Sequence, residues 1–251
     1  MSGRVLVTGG SSGIGAAICR RLAADGWHVA VAGRSAERAQ AIADELAGVA
    51  IVGDAADPAH DPVAEAVAAL GGLDAVVLNA GVIADAGLAD TSDDDWTALI
   101  AVNVLAVHRH ARAAHAHLAA SCGALLLTSS DAGVWGEEPI AVYSATKRMV
   151  LAMARCLAAE WGPDGIRVNA LCPGDTAPGM VSTTRGRREP GATDGWLPPP
   201  LGETVRAQDV AGAAAFLLGR DADRVTGIGL LIDAGMRAST TGWQTAPEAT
   251  R

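Results

Sequence analysis

An α/β fold built on a parallel sheet covered on both faces is what this chain predicts, and three observations carry the prediction. Short apolar, β-branched runs alternate with Ala-rich amphipathic stretches over most of the sequence. The runs are apolar throughout rather than at alternate positions, as strands buried on both sides are. The chemically suggestive residues fall just after a run or on the stretch that follows it, where open parallel sheets bind their ligands.

The elements follow in order. Arg4 to Thr8 is the first strand; it stops at Gly9-Gly10-Ser11-Ser12-Gly13-Ile14-Gly15, and an amphipathic helix runs from Ala16 to Ala24. Strand, glycine turn and helix is the context in which a backbone can approach a pyrophosphate, with the helix N-terminus offering N–H groups and the positive dipole end. The spacing is Gly-x3-Gly-x-Gly, and a purely structural turn would look similar. His28 to Ala32 is the second strand, followed by Gly33-Arg34-Ser35 and a helix over about 36–47. A carboxylate at the end of this strand would accept from ribose hydroxyls, whereas an Arg accommodates a 2′-phosphate, so Arg34 favours NADP(H) over NAD.

Val49 to Gly53 is a third strand, ending at Asp54, and a short helix lies at 62–70. Leu73 to Leu78 is a fourth strand, ending at Asn79-Ala80-Gly81. Asp93 to Asp95 open a long helix that passes Trp96 and Asn103 toward Leu118. Ala124 to Thr128 is the fifth strand, with Ser129-Ser130 at its carboxyl end, and the helix carrying Tyr143 and Lys147 runs to Trp161. Ile166 to Leu171 is the sixth strand, ending at Cys172-Pro173-Gly174. From Asp175 to Pro200 the pattern breaks into a Gly- and Pro-rich segment, and residues 175–205 are expected to form a substrate lid. Val205 to Leu218 is a helix, Ile228 to Ile232 a last strand, and 239–251 a polar tail. With no internal repeat, residues 1–238 are expected to form one domain.

Composition narrows the function classes. Hydrophobic residues make up 50% of the chain, yet no uncharged apolar run approaches the roughly 20 residues of a membrane span. The first residues enter a strand without a charged-then-apolar leader, so a soluble, cytoplasmic protein is expected. A formal net charge of −9 argues against nucleic acid, whose backbone wants a basic face. Cys19, Cys122, Cys156 and Cys172 show no CxxC spacing and are expected as reduced thiols, two buried on helices and two flanking strands. His108, His110, His115 and His117 share a face only at i+7, which gives a polar helix face and no metal.

Tyr143 is the only tyrosine in the chain, and Lys147 the only lysine. Lys and Arg do not exchange where a compact ammonium must approach one oxygen closely. Four residues apart on a helix, the two share a face, and the ammonium can sit beside the phenol. A surface phenol–amine pair would have the same spacing, so the surrounding motifs decide.

Taken with Thr8-Gly9-x3-Gly13-x-Gly15, Asn79-Ala80-Gly81, Asn103, Ser130, Arg167-Val168-Asn169 and Pro173-Gly174, the Tyr143-x3-Lys147 pair resembles the short-chain dehydrogenase/reductase family over roughly residues 3–237. Ser130 precedes Tyr143 by 13 residues, as in that family's pattern. The resemblance implies a Rossmann-like, doubly wound, seven-stranded parallel sheet, a nicotinamide cofactor, and a homo-oligomer, commonly a tetramer. It implies cofactor contacts from Gly9, Ser11, Ser12, Gly13, Ile14 and Gly15 around the pyrophosphate and adenosine ribose. It implies others from Arg34 and Ser35 at the 2′-phosphate, Asp54 and Ala55 at adenine, and Asn79, Ala80 and Gly81 at the ribose. Pro173, Gly174 and Thr176 would meet the nicotinamide. The family usually places a Thr where Pro178 stands here, and Thr176 is the nearest hydroxyl.

The reaction so implied moves a hydride between the nicotinamide and a carbonyl carbon while a proton reaches or leaves the oxygen. A phenol with a pKa of about 10 is a poor base at neutral pH, and a nearby ammonium or an oxidised nicotinamide favours phenolate. Tyr143 is then the acid/base. Lys147 lowers its pKa and holds the nicotinamide ribose, Ser130 orients the carbonyl oxygen, and Asn103 supports a water joining Lys147 to solvent. The expected substrate is a small carbonyl or alcohol compound, apolar or ring-bearing, lying against Ser130, Trp135, Tyr143, Met180 and Trp196, with ketone reduction the favoured direction. Ile83, Asp131, Glu137 and Glu138 lie nearby, and Arg185, Arg187 and Arg188 form a solvated cluster. The alternatives are an NAD-dependent alcohol dehydrogenase of the same family and a non-catalytic NADP(H)-sensing protein, which would characteristically lose the Tyr or the Lys.

Overall fold

A computed structural model describes residues 3–177 and 199–238. Pro178, Met180, Trp196, the three arginines at 185, 187 and 188, most of the expected lid and the 239–251 tail lie outside the described residues.

Strands β1 (Arg4–Thr8), β2 (His28–Gly33), β3 (Val49–Val52), β4 (Ala75–Leu78), β5 (Ala124–Thr128) and β6 (Arg167–Pro173) belong to one sheet. Two-residue strands β7 (Thr176–Ala177) and β8 (Val205–Arg206) form a separate ladder, and β9 (Gly229–Ile232) completes the main sheet. Its order is β3-β2-β1-β4-β5-β6-β9, with every adjacent pair parallel, so the expected seven-stranded sheet is present.

Strand periodicity decides what each face buries. Val5, Val7, Val29, Val31, Ala75, Val77, Ala124 and Leu126 pack under helices α1 (Gly13–Ala24), α2 (Ala36–Leu46) and, later in the chain, α7 (Ala207–Leu218). The residues between them, among them Leu6, Ala30, Val76, Leu125 and Leu127, pack under α3 (Pro62–Leu70), α5 (Val107–Ser121) and α6 (Ala141–Trp161). Helix α4 (Asp93–Ile100) precedes α5, starting from a capping box in which Ser92 and Asp95 bond each other's backbone N–H. The sheet order turns back between β1 and β4, and the crevice outside their carboxyl ends is where a ligand binds in such sheets.

Several expectations shift. Helix α1 begins at Gly13, inside the glycine turn, and β4 begins at Ala75. Helix α7 begins at Ala207 because Val205 and Arg206 are drawn into pairing with β7. The long helix expected from Asp93 is not uniform: a π-helical segment, Ala101–Ala106, separates α4 from α5. Of the cysteines only Cys19 is buried on a helix. Cys156 is exposed on α6, Cys122 is exposed at the left-handed end of α5, and Cys172 is buried within β6 rather than beside a strand. The polar histidine face fails at His110, which is 3% exposed and packs toward His60 and Arg109, while His115 bonds Asp164 at 2.9 Å and meets Trp161 edge-on. Among the described residues, no helix is long and apolar enough to cross a membrane.

Leu126 is 1% exposed at the centre of β5. Leu126→Ala is expected to lower stability by about 2–5 kcal/mol through lost burial and an unfilled cavity, read as a lower urea midpoint with unchanged m-value.

Candidate active site

Three strand ends and one helix meet at the crevice. From β1 hangs the glycine turn. Gly9 has φ +65°, and a Cβ at Gly15 would collide with the Gly9 carbonyl and approach the Asn79 amide. Only glycine lets α1 start this close to the turn. Ser12 stands at the N-cap of α1 in extended conformation, and its side chain caps nothing, so the first-turn N–H groups keep no side-chain partner. A cavity of about 330 Å³ borders Ser11, Ser12 and Gly13 on the α1–α7 side, away from Tyr143 and Lys147.

At the end of β2, a side chain on Gly33 would run into the Ser11 hydroxyl, which leaves no room there for the carboxylate that reads a ribose. Arg34 follows, exposed, and its guanidinium makes no hydrogen bond or ion pair among the described residues. Ser35 is the N-cap of α2, accepting from Arg38 N at 3.3 Å. Asp54 bends the turn after β3 by accepting from Ala56 N at 2.9 Å, and Arg109 on α5 donates to the carbonyls of Ala55 (2.9 Å) and Ala56 (3.1 Å). This cradle of open N–H groups, a missing carboxylate and a free guanidinium fits a dinucleotide carrying a 2′-phosphate.

Asn79, at the end of β4, does a structural job. Its Nδ2 donates to Thr8 O (3.2 Å) and Gly9 O (3.4 Å), its Oδ1 accepts from Thr128 Oγ1 (3.3 Å), and its backbone N–H donates to Thr8 Oγ1 (3.0 Å). Both amide protons are thus donated to the end of β1 and the residue after it.

Lys147 and Asn103 meet at Gly81, with Tyr143 beside Lys147 and Ser130 bonded to the phenol. A Cβ on Gly81 would sit 3.2 Å from Lys147 Nζ and 3.3 Å from Asn103 Oδ1. Asn103, 1% exposed in the π-helical segment, donates from Nδ2 to Val82 O (2.9 Å) and Thr146 Oγ1 (3.1 Å) and accepts at Oδ1 from Val82 N (2.9 Å). Thr146 in turn donates to Tyr143 O at 2.7 Å. The amide therefore fixes the loop after Gly81 against the helix of the phenol, and only the second lone pair of Oδ1 is left to hold a water. Lys147 Nζ donates to Thr128 O at 2.9 Å and lies 5.6 Å from the centre of the Tyr143 ring, as i+4 spacing on α6 requires. Both side chains are buried, the phenol among Ala84, Leu99, Ala132, Ile140 and Val142 with Val82 and Ile83 against them.

Burial sets the charge states. It raises the Tyr143 phenol above its ordinary value, opposed by a hydrogen bond with Ser130 and reinforced by the charges of Asp131 and Glu137. The Lys147 ammonium beside the ring does not outweigh this burial, which also lowers its own pKa from 10.5 to about 8. The expected depression of the phenol therefore requires a further positive charge. The Tyr143 phenol is held neutral.

Sequence reading missed Arg237. Its Nη2 lies 3.3 Å from Asp131 Oδ2 and 3.1 Å from Glu137 Oε2, all three side chains largely buried. Asp131 accepts at Oδ1 from Ser130 Oγ (3.1 Å) and Ala132 N (2.8 Å), so the network reaches the hydroxyl beside Tyr143. Burial raises the Asp131 carboxyl despite the adjacent guanidinium. Pro173 O also lies 3.4 Å from Ser130 Oγ, and Gly174 backs onto Asp233 and Asp131. Thr176 donates its hydroxyl proton to Gly174 O at 2.8 Å, so toward a carboxamide it can only accept. Trp135 is 50% exposed and stands outside the apolar cluster around Tyr143.

A family model described as enoyl-(acyl carrier protein) reductase matches residues 9–237. Galactitol 2-dehydrogenase (L-tagatose-forming) of Cereibacter sphaeroides is 37% identical over 237 residues, 91% of this chain and 92% of that protein. A short-chain dehydrogenase from Burkholderia cenocepacia, solved in complex with NADP, is 36% identical with a TM-score of 0.83, covering 92% of this chain and 96% of that one. A 3-ketoacyl-(acyl-carrier-protein) reductase from Brucella melitensis, complexed with NADH, is 29% identical with a TM-score of 0.84, covering 93% and 97%.

The buried ammonium has a signature in stability. Its pKa falls from 10.5 in the unfolded chain to about 8 in the folded one, so between those values the unfolded chain binds the extra proton. Stability is expected to rise with pH across that window, on the order of 3 kcal/mol at most, with the full burial cost present below it. Urea unfolding at pH 7 and pH 10 checks this: Lys147→Met should lose the gain that wild type shows.

Proposed function

From the premise that the chain belongs to the short-chain dehydrogenase/reductase family, we propose that it is an NADP(H)-dependent oxidoreductase interconverting a carbonyl and a secondary alcohol, with Tyr143 as acid/base. The observation that carries the reading is a neutral phenol, bonded to Ser130, beside a buried ammonium that faces the gap at Gly81. When bound, the cofactor would supply or accept the hydride. Gly9, Ser11, Ser12, Gly13, Ile14 and Gly15 would hold its pyrophosphate, Arg34 and Ser35 its 2′-phosphate, Asp54 and Ala55 its adenine, and Pro173, Gly174 and Thr176 its nicotinamide.

In the reducing direction the Tyr143 hydroxyl gives its proton to the carbonyl oxygen, and Ser130 turns its one hydroxyl proton from Asp131 Oδ1 to that oxygen and fixes it. Lys147 stabilises the phenolate so formed, and proton return runs past Asn103 Oδ1 to solvent. Burial keeps the phenol protonated, the state in which it can act as the donor in this direction. Val82, Ile83, Ala84 and Ile140 give the site an apolar side and support a substrate with an apolar face. Asp131, Glu137 and Arg237 supply a charged side, which favours as a second reading a carbonyl compound bearing further hydroxyls, the class named for the galactitol 2-dehydrogenase of Cereibacter.

Tyr143→Phe is expected to lower kcat for ketone reduction by about a thousandfold while NADPH binding, followed by fluorescence, changes little. Retained turnover would sink the assignment. The single phenol also permits direct titration: it should ionise above its ordinary value in the free protein and at a lower pH once NADP+ is bound, and an unchanged titration would refute the role of the cofactor charge. Arg34→Asp should weaken NADPH by about tenfold or more and leave NADH nearly unaffected, measured as the ratio of the two dissociation constants.

A further inference from the structure

Outside the proposed active site, a cavity of about 200 Å³ lies between the start of α3 and the first turns of α5, lined by Pro58, His60, Asp61, Arg109, His110 and Arg112. Four buried polar atoms of these side chains have no hydrogen-bond partner among the described residues: both ring nitrogens of His60, Arg109 Nε and His110 Nε2. Buried polar atoms left unpaired in this way, donor or acceptor, cost about 1–3 kcal/mol each, and four together do not persist without a reason. His110 is 3% exposed and the His60 side chain 11%.

The chemistry of the lining names the class of ligand. Two guanidinium groups and two imidazoles converge in a chain whose formal net charge is −9. Two fixed positive charges repel a metal cation, and among the described residues no group of three His, Cys, Asp or Glu could hold one. Two acids border the lining, and Asp61 faces His110. Asp61 Oδ1 is engaged at the N-terminus of α3, accepting from Val63 N and Ala64 N at 3.1 Å each. Glu65 Oε1 lies 3.4 Å from His60 Nε2 without forming a hydrogen bond, and its side chain is 52% exposed. Planar guanidinium forks backed by imidazole N–H groups match a phosphate-type oxyanion.

We propose that this cavity binds a phosphate-type oxyanion through Arg109, Arg112, His60 and His110. The site stands apart from the reaction, yet it touches the cofactor's end of the molecule. The Arg109 guanidinium that would meet the anion through Nε also holds the Ala55 and Ala56 carbonyls through Nη2, in the turn proposed for adenine. Anion and cofactor affinities are therefore linked, and the linkage is reciprocal.

The test fills the phosphate-binding turn first. Protein carrying isotope-labelled histidine and saturated with NADPH is titrated with inorganic phosphate, against sodium chloride at equal ionic strength, while the ring resonances of its six histidines are followed. Two resonances, assigned through His60→Gln and His110→Gln, should shift saturably with phosphate and not with chloride. Arg112→Ala, at an exposed position whose loss does not threaten folding, should weaken half-saturation by about tenfold. Shifts that never saturate, that chloride reproduces, or that Arg112→Ala leaves in place overturn the site.

Discussion

The working end of the sheet is held together by one amide. Asn79 bonds β1 through Thr8 and Gly9 and β5 through Thr128, from its own place at the end of β4. The glycine turn, the Gly81 loop and Ser130 each hang from one of those three strands. Without this tie they would be three separate loops on the sheet edge, each free to settle its own geometry. With it, the distance between the phosphate-binding turn and the phenol is set by strand spacing, which side-chain mobility does not relax.

That rigidity allows the protein to keep charge where charge is costly. Lys147, Asp131 and Arg237 are all largely buried, and each is answered locally: the ammonium by the Thr128 carbonyl, the carboxylate by Arg237 and the Ala132 N–H. None of these arrangements is an efficient way to stabilise a fold, since apolar residues of similar size would serve better. Their value lies in fixing the protonation of one phenol. Burial keeps Tyr143 protonated, Ser130 pulls the other way, and Asp131 and Glu137 add to the burial, so the phenol is poised by its apolar surroundings and by groups from the segment that follows β5.

Much of the fold was legible because each strand is buried on both faces and so appears as an unbroken apolar run. Tyr143 and Lys147 were legible for a different reason: singletons at a helical spacing stand out from an Arg-only background. What escaped was non-local. Arg237 meets Asp131 and Glu137 across 106 and 100 residues, and nothing around position 237 announces that. His110 looked like surface because its neighbours in sequence are polar, and its surroundings come from the loop of His60, 50 residues earlier. The π-helical segment did leave a trace. Leu99, Asn103, Val107 and Ala111 are all buried, three successive steps of four residues, where an α-helix would have inserted a step of three to stay on one face.

That wide turn makes the helix intolerant of one kind of change above all, a change in count. A residue gained or lost before Asp93 is absorbed by the loop that leads into α4. The same event within 101–106 would either rotate all of α5 by about 100°, carrying Val107, Ala111, Ala114 and Leu118 off the sheet, or relax the turn into ordinary helix and withdraw Asn103 from Val82 and Thr146. Substitutions in this turn can be judged one side chain at a time. Its length cannot, because the surplus residue is the reason that one helix serves the core with one half of its run and the crevice with the middle.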